Sequence, residues 1–280
     1  MNTKEKRLGT KAQIRAIKNR ERRTATAIFL VFILLIVVFS SYFTYNFLNQ
    51  PQNQTTNPTS SQLKAAIIDQ LSLTLPNQTF IETATNTLKQ AGYTVDYYPG
   101  EKVTVEFYRN LPTHGYEIII LRVHSALGAN NEPLALFTSE RTSGTKYVYE
   151  QLNDQLQGVA FLPYKPGDPT YFGIPPKFVK LSMNGKFQDA TIIAMGCDGL
   201  TQTDMAEAFI EKGAKAYISW NSSVSASHTD QATICLLQHL ATDKQTINQA
   251  IEKTMKEVGP DPSYKSVLLY YPFKVGEQTI

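Results

Sequence analysis

Among four histidines and two cysteines, His124 and Cys197 are set apart by where they fall. Each follows a strongly apolar run: Tyr116 to Val123 leads into His124-Ser125-Ala126, and Asp189 to Met195 leads into Gly196-Cys197-Asp198-Gly199. A thiolate is a nucleophile, an imidazole can take its proton and return it to a leaving amine, and nearby backbone N–H groups can hold the developing oxyanion. Gly196 and Gly199 permit the tight turn and close substrate approach that such a nucleophile needs. The residues therefore nominate Cys197 as nucleophile and His124 as acid/base. The competing structural reading pairs Cys197 with Cys235 in a disulfide, which would end the chemistry. Cys235 itself falls among Ile234, Leu236 and Leu237 on a helical pattern and reads as a small core residue.

Both apolar runs are continuous rather than alternating, as expected of central strands covered on two faces. Around them the chain reads as strand at Ala65 to Leu73, helix at Phe80 to Gln90 closed by Gly92, and strand at Tyr93 to Tyr98, a β-α-β unit. A short helix follows over Glu101 to Asn110. Leu127 to Lys180 is the least regular stretch: a hairpin is expected around Leu134 to Thr138 and Tyr147 to Tyr149, within a long insertion over one sheet edge. Beyond Cys197 come a helix from Asp204 to Lys212 with Thr203 as N-cap, a strand from Lys215 to Trp220, helices over Asp230 to Leu240 and Gln245 to Val258, and a last strand from Ser266 to Tyr271. In a mostly parallel α/β sheet, ligands and catalytic groups collect beyond the carboxyl ends of the strands, where His124 and Cys197 fall. His228 and His239 read as capping or surface groups. No metal-ligand spacing, phosphate-binding loop or dinucleotide fingerprint is present, and no cofactor is expected.

Charge is distributed unevenly. Residues 1–23 carry nine Lys/Arg against two acidic residues, so the formal net charge of +3 conceals a remainder of about −4. That remainder gives no argument for nucleic-acid binding. From Thr24 to Leu63 there is no charged residue. Ala25 to Phe47 is apolar enough to form about 34 Å of helix, sufficient to span a bilayer. Arg22-Arg23 then marks the cytoplasmic side, and Tyr42, Phe43, Tyr45 and Phe47 form an interfacial belt. The expected organisation is a basic cytoplasmic tail at 1–23, a transmembrane helix in the lipid bilayer at 24–48, an uncharged flexible stalk at 49–63, and an α/β domain at 64–280 outside the cytoplasm in a single-pass cell-membrane protein. The alternative is a signal peptide cleaved near Val38-Phe39-Ser40.

The order of elements (strand to His, insertion, strand to Cys-x-Gly, helix, Gly-Ala strand) resembles the caspase-like cysteine peptidases, the clan CD group containing caspases, gingipains, clostripain, separase and the CHAT domains. Ile192 to Leu240 looks most like the CHAT and gingipain segment, and Pro260-Asp261-Pro262 is similar to the Gly-Asp-Pro that often precedes the last strand there. The resemblance spans Ala65 to Pro272 and is sequence-like only near Cys197. It implies a three-layer caspase-like fold with a mostly parallel central sheet, and an endopeptidase acting on proteins or peptides through a His124/Cys197 dyad. It also implies oxyanion donors at the backbone N–H of Cys197 and Ser125, with Gly196, Asp198 and Trp220 around the substrate. Trp220 reads equally well as a core residue. The family usually has His-Gly where this chain has His124-Ser125, which puts a side chain into open space and would strain any positive φ. A non-catalytic, membrane-tethered interaction or sensor domain on the same scaffold is the competing reading.

Overall fold

The computed structural model describes residues 33–41, 63–128, 132–161 and 163–280, which belong to two units, Met1–Ser60 and Ser61–Ile280. In the first unit, residues 33–41 are helical, with Ile33 to Phe39 exposed. No helix among the described residues is long and apolar enough to cross a membrane. The expected span at 24–48 is described only over 33–41. Its remainder, the tail at 1–23 and all of the stalk except Leu63 lie outside the described residues.

The second unit is mixed α/β. Strand β1 (Lys64–Asp69) ends one turn earlier than its apolar run, because Gln70–Leu73 closes into a 3-10 turn. Helix α1 (Gln78–Gln90) starts where the Asn77 side chain accepts the Phe80 N–H, satisfying one orphan donor of the first turn. Strand β2 (Thr94–Pro99), helix α2 (Val105–Asn110), which Thr104 caps in the same way, and strand β3 (Ile118–Arg122) follow.

The stretch read as an irregular insertion is instead a second sheet. Strands β4 (Ser125–Leu127), β5 (Leu134–Arg141), β6 (Gln157–Val159) and β7 (Tyr171–Ile174) pair antiparallel in the order β4-β5-β7-β6. The expected hairpin with Tyr147 to Tyr149 does not form. Tyr147 takes a left-handed φ of 51° and opens the short helix α3 (Val148–Leu152), while β5 finds its partners in β4 and β7.

Helix α4 (Pro176–Leu181), strand β8 (Thr191–Ala194), helix α5 (Asp204–Glu211) and strand β9 (Ala216–Trp220) continue the chain. Thr203 sits at the start of α5, but its hydroxyl turns to the Glu207 carboxylate rather than capping the backbone. Helix α6 (Ala226–Leu237) passes into a π-helical turn at Gln238–Thr242. Helix α7 (Ile247–Glu257) begins with a capping box between Thr246 and Gln249, and strand β10 (Leu268–Tyr271) ends the main sheet.

That sheet has the order β10-β9-β8-β3-β1-β2 and is parallel except for β10 on β9. The pleat sorts its side chains to two faces. Ala66, Ile68, Ile119, Leu121 and Ile192 pack with Tyr108 of α2, Phe178 of α4, Phe209 of α5, and Leu136 and Phe172 of the second sheet. Ala65, Ile67, Ile118, Ile120 and Ile193 pack with Phe80 and Leu88 of α1, Leu236 of α6 and Ile251 of α7. Two buried cores therefore flank one sheet, the arrangement that continuous apolar strands require.

One charge interrupts this packing. Arg122, 1% exposed, donates to Asp69 Oδ1 at 2.8 Å, to both oxygens of Asp230 at 2.7 and 2.9 Å, and to the Leu75 carbonyl at 2.9 Å. The end of β1, the loop after it, the end of β3 and α6 all meet at one guanidinium. Removing the cation strands two buried carboxylates, so Arg122→Met is expected to destabilise the domain by about 3–5 kcal/mol in urea unfolding. The triple change Asp69→Asn, Arg122→Met, Asp230→Asn should recover part of that loss. A single-variant loss below about 1 kcal/mol would mean that the cluster behaves as a solvated surface pair.

Candidate functional site

β3 and β8 run parallel with Leu121 opposite Ala194, and the Met195 N–H extends the ladder to the Leu121 carbonyl at 2.9 Å. Both chains thus leave the sheet side by side at their carboxyl ends. Gln70, buried beyond β1, accepts the His124 N–H at 3.1 Å, and the His124 carbonyl accepts from the Phe137 N–H at 2.8 Å. The Ser125 hydroxyl donates to the Cys197 carbonyl at 2.6 Å, directly joining the loop after β3 to the loop after β8. A Cβ at Gly196 would lie 2.2 Å from Ser125 Oγ and 2.6 Å from the Val123 carbonyl oxygen, so only glycine fits between the loops. Ser125 opens β4 in extended backbone, which removes the positive-φ objection raised by the missing glycine.

The His124 ring packs against Phe161, with centroids 4.9 Å apart, and against Phe137 at 5.8 Å. Its Nε2 lies 3.3 Å from Thr74 Oγ1. Burial, reinforced by the positive charge of Arg122, pushes the imidazole down to about 4, so it is neutral at neutral pH. Cys197 Sγ accepts the Val224 N–H at 3.4 Å, and its thiol is 3.6 Å from the Val224 carbonyl. Burial raises the thiol above its ordinary value; the Val224 bond opposes this, and the negative charge of Asp198 adds to it. The dyad candidates thus stand at neighbouring strand ends as two neutral groups, each turned to its own partner.

Asp198 takes a left-handed φ of 62°, donates its N–H to the Ser222 carbonyl at 3.0 Å, and accepts the Thr201 and Ser223 hydroxyls at 3.3 and 3.4 Å. Its carboxylate serves the turn that carries Cys197. Gly199 has no room for a side chain either, because its Cβ would fall 2.0 Å from Ser219 Oγ. Trp220 belongs to the core and not to a substrate surface: it is 1% exposed and its indole N–H donates to Thr229 Oγ1 at 2.9 Å, which in turn donates to the Met195 carbonyl at 3.0 Å. Residues 196, 197, 198 and 125 are brought together; Trp220 braces them from beneath.

The capping or surface reading of two other histidines is corrected as well. His228 is buried, with Nε2 3.1 Å from the Gly259 carbonyl and its ring 5.4 Å from Trp220. His239 is also buried. Both cysteines are free, and Cys235 is partly exposed with its thiol on Glu257, so it is neither a disulfide partner nor a core residue. Sequence reasoning missed Thr74, Phe161 and Val224, which reach the site from loops without apolar periodicity. A pocket lined by Leu156, Pro175, Pro176 and Lys177 includes neither His124 nor Cys197.

No family model matches the chain, and no curated protein does. Among solved structures, the Arg-specific cysteine proteinase gingipain R is similar at a TM-score of 0.43 and 15% identity, over 70% of this chain and 41% of that one. The chain spans less than half the length of that structure.

Two neutral groups at neighbouring strand ends predict a particular reactivity. The rate at which iodoacetamide alkylates Cys197, followed by peptide mass spectrometry, should climb through the ordinary thiol value of 9.0 with no plateau near neutrality. Asp198→Asn should raise the rate at any fixed pH in that range, because a negative neighbour is removed. A plateau below pH ~7 would instead reveal a preformed thiolate–imidazolium pair.

Proposed function

We propose that this chain is a membrane-anchored, caspase-like cysteine endopeptidase acting outside the cytoplasm, with Cys197 as nucleophile and His124 as acid/base. One observation carries the reading: His124 and Cys197 leave adjacent parallel strands at their carboxyl ends, and Ser125 ties the two loops together. The parallel order of β9, β8, β3 and β1 agrees with the scaffold implied by the resemblance.

In the proposed reaction the His124 ring accepts the Cys197 proton as the sulfur attacks the scissile carbonyl carbon. The carbonyl π electrons move to oxygen, which the backbone N–H groups of Cys197 and Ser125 receive. Collapse of this intermediate breaks the C–N bond, and the proton on His124 passes to the leaving amine. Water, deprotonated by the same ring, then cleaves the thioester. The Sγ bond to Val224 and the His124 contact to Thr74 must give way for proton transfer, so substrate entry assembles the dyad. The bilayer is engaged through residues 24–48, the substrate is protein or peptide, and nucleic acid has no part.

A second reading, a non-catalytic tethered interaction or sensor domain, is favoured by the Cys197 thiol being turned to Val224 and held neutral. The two separate in one experiment on the full chain in detergent micelles. A library of peptides with a thiol-reactive aldehyde or acyloxymethyl ketone at the carboxyl end should label Cys197. Cys197→Ala should abolish labelling, and His124→Ala should lower peptide turnover by about a hundredfold or more. A folded chain that alkylates with iodoacetamide yet resists every peptide electrophile and cleaves no peptide would sink the peptidase reading.

A further inference from the structure

The sequence shows no metal-ligand spacing, yet the fold gathers three metal-competent side chains on the helical layer that covers the sheet face opposite α2, α4 and α5. Cys235 lies near the end of α6, His239 follows four residues later in the π-helical turn, and Glu257 is the last residue of α7. Their ligand atoms all fall within 4.8 Å of one another. Cys235 Sγ is 3.3 Å from Glu257 Oε2, and His239 Nε2 is 3.2 Å from Glu257 Oε1. We propose that Cys235, His239 and Glu257 form a zinc site that clamps the end of α6 to the end of α7.

The second partner of His239 supports this. Its Nδ1 lies 2.9 Å from Asp243 Oδ2, and the ring is 7% exposed. A carboxylate on Nδ1 fixes the N–H there and leaves the Nε2 lone pair facing Glu257, the outer-shell arrangement of a metal-bound histidine. A lone pair facing a carboxylate oxygen at 3.2 Å is repulsive unless a proton or a metal cation lies between them, and with the N–H held on Nδ1 a metal meets that need. In the other contact the Cys235 thiol donates to the Glu257 carboxylate, so the proton it holds there is the one a metal would displace. Zinc takes the place of the thiol proton: that one proton is released to solvent, the imidazole keeps its Nδ1–H on Asp243, and the thiolate and carboxylate neutralise the ion.

The donor set selects the metal. One thiolate, one imidazole and one carboxylate suit Zn²⁺, whereas Ca²⁺ and Mg²⁺ want oxygen ligands. Glu257 is exposed, so a water completes the tetrahedron from the solvent side. Helices that are offset by a π turn frequently mark functional positions, and here the turn sets His239 toward Glu257. The site is separate from Cys197, whose thiol bonds to Val224.

The test uses the full chain in detergent, stripped with chelator and titrated with Co²⁺ as an optical stand-in for Zn²⁺, then with Zn²⁺ in competition. One Co²⁺ per chain should bind with a thiolate-to-metal charge-transfer band, and Zn²⁺ should displace it and raise the melting temperature. The band should persist in Cys197→Ser and disappear in Cys235→Ser. Glu257→Gln, a surface change that leaves the fold intact, should weaken binding at least tenfold. A folded wild-type chain that binds no Co²⁺ would overturn the site. A band retained in Cys235→Ser would overturn it equally.

Discussion

The buried Arg122 guanidinium is the constraint around which the sheet end is organised. An arginine taken out of water costs several kcal/mol unless its donors meet good acceptors, and an unpaired carboxylate nearby would cost as much. The structure meets that demand with two carboxylates and a carbonyl drawn from β1, the loop after it and α6. Asn77 closes the arrangement: one end of its amide caps α1 and the other donates to Asp230 at 2.8 Å. The tight geometry is therefore not decoration on a hydrophobic core. It fixes where β3 stops, and two residues later the chain places His124, whose protonation is suppressed by burial and further by the same charge.

Steric room at the strand ends follows from a trade between two positions. A glycine after the histidine would leave open space beside the nucleophile loop; here serine stands there, and the space for its side chain comes from Gly196 across the gap. Ser125 then uses its hydroxyl to hold the Cys197 carbonyl. What looks in the sequence like a defect in the histidine motif becomes, in three dimensions, a hydrogen bond between the loops. The glycine is still required, only on the other strand.

Much of the main sheet was legible because its strands are long apolar runs with helices between them, a pattern that local spacing alone betrays. The second sheet was not. β5 reads as one arm of a hairpin with the residues that follow it, but its near partner is β4, the strand just before it, and its other partner, β7, lies beyond α3 and β6, a pairing that nothing local encodes. Arg122 was equally opaque: a single charge closing an apolar strand is ordinary at a surface, and its carboxylate partners lie 53 and 108 residues away. Sequence neighbours make His228 and His239 look like helix-end or surface groups, whereas their burial comes from long-range packing that neighbours in sequence do not show. His124 and Cys197 could be nominated because strand ends are visible; their contacts with Thr74, Phe161 and Val224 could not.

Burial gives the candidate dyad a resting state with consequences for where it works. Desolvation disfavours charge on both groups, so it raises the thiol and lowers the imidazole, the opposite of what a standing ion pair requires. The cost is reactivity in the absence of substrate, since only the thiolate attacks. The gain lies in chemical survival: oxidation to sulfenic acid also proceeds through the thiolate, and a partly buried neutral thiol bonded to Val224 offers little of it. For a domain held on the oxidising side of a membrane, as proposed, a nucleophile that stays protonated until a substrate displaces its local hydrogen bonds is protected by the same burial that slows it.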